Sequence, residues 1–351
     1  MSGWRLAATL LAVAVVSGCG SGLEQSAPPP ATGAGAGAAT APAATMAQSR
    51  TPSRPTLAPP PPVPWQPFPA AADTALPRTV TAALALALQD EIGNRTDLGI
   101  ACAIVNADRG TWTGVAGFER QGTKATAASV WETGSVAKTI VAAEVLRLVE
   151  RGRIRLDADA GEILGPAAAA TTNGARVADL LRMRSGIGVH QPAGSTFEYR
   201  NDDYILLGRI IEAVEGRPLG EVLTPDILAV PGAEGLRFPV GGTVDNAAGP
   251  FESDAVSLAR WGNALFGRHL VTDPSLARMV DFGDGDYGMG VFDFSVDFGT
   301  LAVGHLGMED AWSAALVALP ERQLVIVVLM NAGDPLRTEG VAVRLASLLP
   351  G

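Results

Sequence analysis

The sequence predicts an α/β (α+β) protein in which an antiparallel sheet is built from both chain ends, with flanking helices and an inserted, mainly helical region. Three observations carry that expectation. Apolar runs of strand length, "LGIACAIVNA" and "TWTGVAGF", stand early in the chain. Others, "YGMGVFDF", "TLAVGHLG", "AWSAALVALP" and "QLVIVVLMN", stand near its end. Between about 136 and 281 the apolar residues recur with helical spacing. With 351 residues, 47% hydrophobic and 18% charged, the chain has ample material for a core.

The elements follow in order. Arg5 and the apolar run 6–16 form a targeting segment, residues 1–18, too short to span a bilayer unaided. "VSGC", residues 16–19, resembles a bacterial lipobox. That resemblance implies cleavage before Cys19, a lipid on Cys19, and attachment to the extracytoplasmic face of a bacterial cell membrane. The alternative is an ordinary secretory signal with a chance cysteine. Residues 19–75 are mostly Ala, Pro, Gly, Ser and Thr, and such composition buries too little to offset its ordering entropy, so a tether is expected. Trp65 and Phe68, near its end, either dock on the domain or are simply linker aromatics.

The folded domain is expected over 76–351, its sheet part about 76–130 and 285–351 and its helical part about 131–284. "RTVTAALALALQDEIG" has helical spacing, and the two early strands, joined by "DRG", read as a hairpin. A closing helix is expected from about 336 to 349. Cys19 and Cys102 are the two cysteines, so no disulfide framework is expected, and Cys102 within "GIACAIV" reads as a small core residue.

Charge excludes one class of function. A net charge of −10 is unsuited to a nucleic-acid surface, which needs clustered cations. The three histidines, His190, His269 and His305, include no ligand-spaced pair, so no metal and no other cofactor is expected. No G-x-S-x-G occurs, which argues against an α/β-hydrolase elbow. A monomer is expected.

The positive charges are written almost entirely as Arg: Lys124 and Lys138 are the only lysines among 26 basic residues. Lys138 lies three residues after Ser135, at the start of an amphipathic helical pattern, so their side chains share a face. A serine hydroxyl is a poor nucleophile until its proton is removed. A lysine amine can remove it once burial lowers its pKa, whereas a guanidinium stays protonated. The plain alternative is a helix-capping serine with an incidental lysine. Downstream, Tyr199 and Asn201 precede a helix expected to start near Asp202. There the phenol would share the serine's proton and the amide would hold a substrate carbonyl, or the segment is merely a helix start. Farther on, His305 and Gly307 lie in a strand pattern. Gly307 would admit a substrate to the strand edge, and the N–H of Met308 would point into an oxyanion hole. The alternative there is an edge strand with a surface His.

Taken together, Ser135-Val-Ala-Lys138, Tyr199-Arg-Asn201 and His305-Leu-Gly307 resemble the S-x-x-K, Y-x-N and [KH]-x-G motifs of the penicillin-recognising serine hydrolases, and most of all the class C β-lactamase, DD-peptidase and family VIII esterase group. The likeness extends through "GSVAKTIVAAEVLRLVERGRIRLDA", "LLRMRSGI" and "PAGSTFEYRNDDYILLGRIIE", and covers about residue 76 to the C-terminus. It implies a β-lactamase/transpeptidase-like fold and acyl transfer through an acyl-serine. Ser135 would be the nucleophile, and Lys138 and Tyr199 the base system. Asn201 would be a substrate-carbonyl ligand and His305 an electrostatic and proton-shuttling group, with the Ser135 and Met308 N–H groups as oxyanion hole. The expected function is hydrolysis of an ester or amide, cell-wall-derived or otherwise small. The alternatives are a DD-peptidase or β-lactamase proper, or a catalytically silent envelope-binding lipoprotein of the same fold.

The chain departs from the family pattern in places. H-T-S-G becomes Met183-Arg184-Ser185-Gly186, Leu306 replaces a hydroxyl residue, and Met308, Glu309 and Asp310 follow where small residues are usual. Two acids near the third motif disfavour an anionic substrate. Neither they nor Arg200 is given a role by the motifs. The anchoring expectation is directly testable: Cys19→Ala should release or misprocess the protein, read by its partitioning between membrane and soluble fractions. A processed variant that stays with the membrane would exclude the lipid anchor.

Overall fold

The computed structural model describes residues 57–71, 74–120, 122–189 and 191–350. The targeting segment, Cys19, the first part of the expected tether and His190 lie outside the described residues.

The first helix, α1 (Arg78–Ile92), precedes the hairpin of β1 (Gly99–Asn106) and β2 (Gly110–Arg120). The register from Gly99↔Gly117 to Asn106↔Gly110 closes it over the tight turn that "DRG" predicts. The two-residue strand β3 (Thr123–Lys124) edges β2. The helical part holds a two-stranded ladder, β4 (Trp131–Glu132) with β5 (Glu252–Ser253), that no sequence pattern announced. It also holds α2 (Ala137–Glu150), α3 (Asn201–Glu215), α4 (Ala255–Phe266) and α5 (Asp273–Met279). The chain then returns through β6 (Phe292–Asp293), β7 (Val303–Glu309), β8 (Trp312–Leu319) and β9 (Leu324–Met330), and ends with α6 (Pro335–Ser347).

The main sheet is antiparallel, in the order β3-β2-β1-β9-β8-β7-β6. The two chain ends meet at its centre, where β1 pairs with β9 from Ile100↔Met330 to Asn106↔Leu324. Both strands are buried throughout, so they read as continuous apolar runs rather than alternations. Cys102 lies in this buried centre, and burial pushes its thiol pKa well up. Helices α1 and α6 pack on one face of the sheet, and α4 packs on β1, β8 and β9 from the helical side. No described helix is long and apolar enough to cross a membrane.

Two expectations need correction. "YGMGVFDF" contributes only Phe292–Asp293 to the sheet. Its first half turns back on itself, with Gly288 N donating to Val291 O at 2.9 Å, because the chain must bend there to lie against α2, where Thr139 Oγ1 donates to Gly290 O at 2.7 Å. The second concerns the tether, expected to run to residue 75. Its described stretch 57–71 is packed on the domain. Trp65 and Phe68 are buried, and the Trp65 indole donates to Phe266 O at 2.9 Å. The backbone carbonyls of this proline-rich segment have no ladder to join, so side chains capture them. Asn263 donates to Pro69 O at 3.2 Å, His269 to Phe68 O at 2.9 Å, Arg278 to Ala58 O at 3.1 Å and Arg268 to Trp65 O.

This strap is therefore part of the folded unit. Trp65→Ala should cost about 3 kcal/mol of stability, the usual cost of emptying a buried aromatic site, and a chain starting at residue 76 should lose at least as much. Urea unfolding measures both. A tether that merely lay on the surface would leave both midpoints unmoved.

Candidate active site

Ser135 sits in a 3₁₀ turn, Gly134–Val136, that runs directly into α2. The turn is held from two sides. Thr133 N donates to Phe251 O at 2.8 Å, and Phe251 N returns a bond to Thr133 Oγ1 at 3.2 Å. On the sheet side it presses against β7 with almost no space. A Cβ added to Gly307 would lie 1.9 Å from Thr133 O and 3.1 Å from Ser135 N, so only glycine fits. Gly134 has φ +49°, and its own added Cβ would lie 2.5 Å from Met308 N. The N–H groups of Ser135 and Met308 are thereby brought to the same seam between turn and strand.

Lys138 is fully buried one helical turn on. Its Nζ lies 2.8 Å from Ser135 Oγ and donates to Ala248 O at 2.6 Å. It also stands 5.1 Å from the Tyr199 ring centroid and 5.9 Å from that of Tyr204. Among the described residues no carboxylate pairs with it. Burial lowers its pKa to about 7, and the more distant Glu309 opposes that shift. Near neutrality a large fraction is a free amine that gives one hydrogen to Ala248 and has a lone pair for the Ser135 proton.

Tyr199 reaches the serine from the loop before α3. Its hydroxyl is buried without a hydrogen bond of regular geometry. Burial pushes its pKa upward and the neighbouring Ser135 hydroxyl draws it partly back, so the phenol stays protonated. Its ring stacks on Phe292 at 6.2 Å and meets Tyr287 edge-on at 6.3 Å, while His305 lies 6.2 Å away.

His305 is fully buried, not at the surface. Its Nδ1 contacts Leu306 O, and because a carbonyl only accepts, Nδ1 carries the hydrogen. Nε2 is then an acceptor, and it is buried without a partner. Burial and the nearby Lys138 lower the His305 pKa to about 3. A neutral imidazole replaces the charged group that an electrostatic role would require. Asn201 is the first residue of α3; its side chain is exposed and makes no hydrogen bond among the described residues. The structure thus joins Ser135, Lys138, Tyr199, His305, Gly307 and Met308, while the exposed Asn201 side chain bonds to none of them.

The altered segment 183–186 acts from behind. Ser185 Oγ donates to the buried Asp203 Oδ1 at 2.6 Å, which ties this loop to the first turn of α3. Sequence reasoning missed the Ala248 carbonyl, for which no side-chain signal exists; the neighbouring Gly249-Pro250 marked only a turn. It also missed Glu132, which the β4–β5 ladder brings beside the site.

The chain matches the family model described as Beta-lactamase over residues 78–349. It is 25% identical over 287 residues to penicillin-binding protein 4 of Amycolatopsis lactamdurans, covering 60% of this chain and 74% of that one. Among solved structures, D-amino acid amidase from Ochrobactrum anthropi superposes with a TM-score of 0.67 at 19% identity, over 77% of this chain and 98% of that one. D-stereospecific amidohydrolase from a Streptomyces species superposes with a TM-score of 0.60 at 22% identity, over 75% and 98%. These likenesses carry the fold.

The geometry predicts how the serine reacts. Because the Lys138 pKa is lowered to about 7, the base form prevails above that pH, so acylation of Ser135 by a fluorophosphonate should rise through about pH 7 and level off above it. Lys138→Arg should stay folded by circular dichroism yet lose about 10²- to 10⁴-fold in acylation rate, at least as much as Tyr199→Phe. An arginine variant reacting within a few-fold of wild type would reduce the pair to a helix start.

Proposed function

The chain belongs to the beta-lactamase family, and from that premise we propose that it hydrolyses an ester or amide through an acyl-serine intermediate on Ser135. The observation that carries this reading is the 2.8 Å contact between Ser135 Oγ and a fully buried, unpaired Lys138 amine. As Ser135 Oγ attacks the substrate carbonyl, Lys138 takes its proton. The N–H groups of Ser135 and Met308 receive the developing oxyanion. The proton then passes to the leaving group, with the neutral Tyr199 phenol beside the path, and water completes the cycle on the acyl-serine. His305, neutral, offers Nε2 as an acceptor to a donor on the substrate.

The amidase and amidohydrolase neighbours support an amide or ester substrate, and the third-motif surroundings support one without a carboxylate. Leu306 supplies no hydroxyl, and Glu309 and Asp310 add negative charge on that side. In the same reading the enzyme is held on the outer face of the cell membrane through Cys19.

A fluorescent penicillin and a fluorophosphonate, applied to wild type and Ser135→Ala, test the nucleophile: labelling should require Ser135. Turnover of p-nitrophenyl butyrate should exceed that of a cephalosporin several-fold, since each unfavourable charge contact costs on the order of 1 kcal/mol. A cephalosporin hydrolysed as well as the ester would overturn the substrate assignment.

A further inference from the structure

Successive residues of a strand point to opposite faces, so His305, Gly307 and Glu309 share one face of β7. Gly307 fixes which face it is, because Thr133 and Ser135 lie directly on it. His305 and Glu309 therefore flank the serine, each two residues away, or roughly 7 Å along the strand. On the His305 side the cleft offers a fully buried acceptor with no partner. On the Glu309 side it offers a half-buried carboxylate.

The surroundings of that carboxylate are unusual in charge. Neither Glu309 nor its neighbours Glu132 and Asp310 form an ion pair with Lys, Arg or His among the described residues; Glu252, paired with Glu132 across the β4–β5 ladder, has Arg237 at 2.8 Å. Burial, then Glu132 and Asp310, raise the Glu309 pKa, and Lys138 opposes them. Glu132 is raised likewise by burial, Asp310 and Glu252. These acids are not grouped so as to hold a metal ion. Glu309 is also the cross-strand partner of Trp312, so the half-exposed Trp312 ring shares its face, and that ring meets Trp131 edge-on at 5.4 Å. A carboxylate beside an indole is suited to an organic ammonium, which takes both a charge-assisted hydrogen bond and a cation–π contact.

We propose that Glu309, backed by Trp312 and Glu132, is a specificity-determining residue that recognises a free ammonium group near the scissile carbonyl, so that the preferred substrates are amides or esters of amino acids with an unblocked amine. This rests on the acyl-serine reading above and narrows its substrate class. Substrate charge completes the site: an ammonium in the cleft supplies the counter-ion that the protein omits.

The test uses the p-nitroanilides of D- and L-alanine, of propionate (the same acyl group without the amine), of N-acetylalanine and of succinate. In wild type at pH 7, kcat/KM for the better alanine anilide should exceed that for the propionyl anilide at least tenfold, and N-acetylation should abolish the advantage. Glu309→Gln should lower that amine-to-propionyl ratio about tenfold. Glu309→Lys should reverse the order, raising the succinyl-to-alanyl ratio above one. Turnover of the propionyl anilide with no advantage for the free amine, or an advantage that survives Glu309→Gln, overturns the inference and leaves the acyl-serine reading standing. If no anilide is turned over and Ser135 takes no serine probe, the reading itself fails and the inference falls with it.

Discussion

Everything at the centre of this protein depends on keeping Lys138 dry. An ammonium in that position has no carboxylate partner among the described residues; it faces a backbone carbonyl, a serine hydroxyl and two aromatic rings. Its pKa falls from 10.5 to about 7 because the charged form is the one burial penalises. The sign of the accompanying stability effect follows: between pH 7 and 10.5 the unfolded amine binds more protons than the folded one, so the fold gains stability as pH rises through that window. At neutral pH the group works against folding, and the rest of the structure must offset it.

The offset comes from close packing around the turn that carries Ser135. Gly307 and Gly134 remove the side chains that would otherwise hold β7 off the turn, and the 248–253 segment closes the other side with its own carbonyl and the Phe251 pair of bonds. The central strands of the sheet behind this seam come from opposite chain ends and are buried throughout. The pairing of β1 with β9 closes a loop over the whole helical part, so core and pocket are joined through the same two strands.

The same dryness shapes the other groups. Tyr199 is held as a phenol and His305 as an imidazole, each away from its charged form by burial. Lys138 is then the group of the three whose protonation changes near neutral pH, which is what the proposed base role requires. Beside it the opposite holds: Glu309, Glu132 and Asp310 form no ion pair among the described residues, and in the proposed reading their field favours a cationic substrate. The strap of 57–71 belongs to neither region; it seals the α4–α5 side through Trp65 and Phe68.

The sequence by itself determined the order of elements, because continuous apolar runs at both ends and helical spacing between them leave few other ways to bury the same residues. It also made the Ser135–Lys138 pair legible as a candidate: an S-x-x-K spacing on a helix puts the two side chains on one face whatever surrounds them, and a lysine among arginines has a chemical reason. Longer-range matters were decided only by the tertiary structure. The pKa of Lys138 depends on what covers it, the Ala248 carbonyl carries no side-chain signature, and Glu132 reaches the site through a two-residue ladder too short to show a pattern. The strap was illegible for a related reason. Its composition reads as unstructured because local propensity says nothing of Asn263, Arg268 and His269, some two hundred residues away, which hold its carbonyls. Local periodicity is written in neighbouring residues, while desolvation and the meeting of distant backbones are properties of the packed chain.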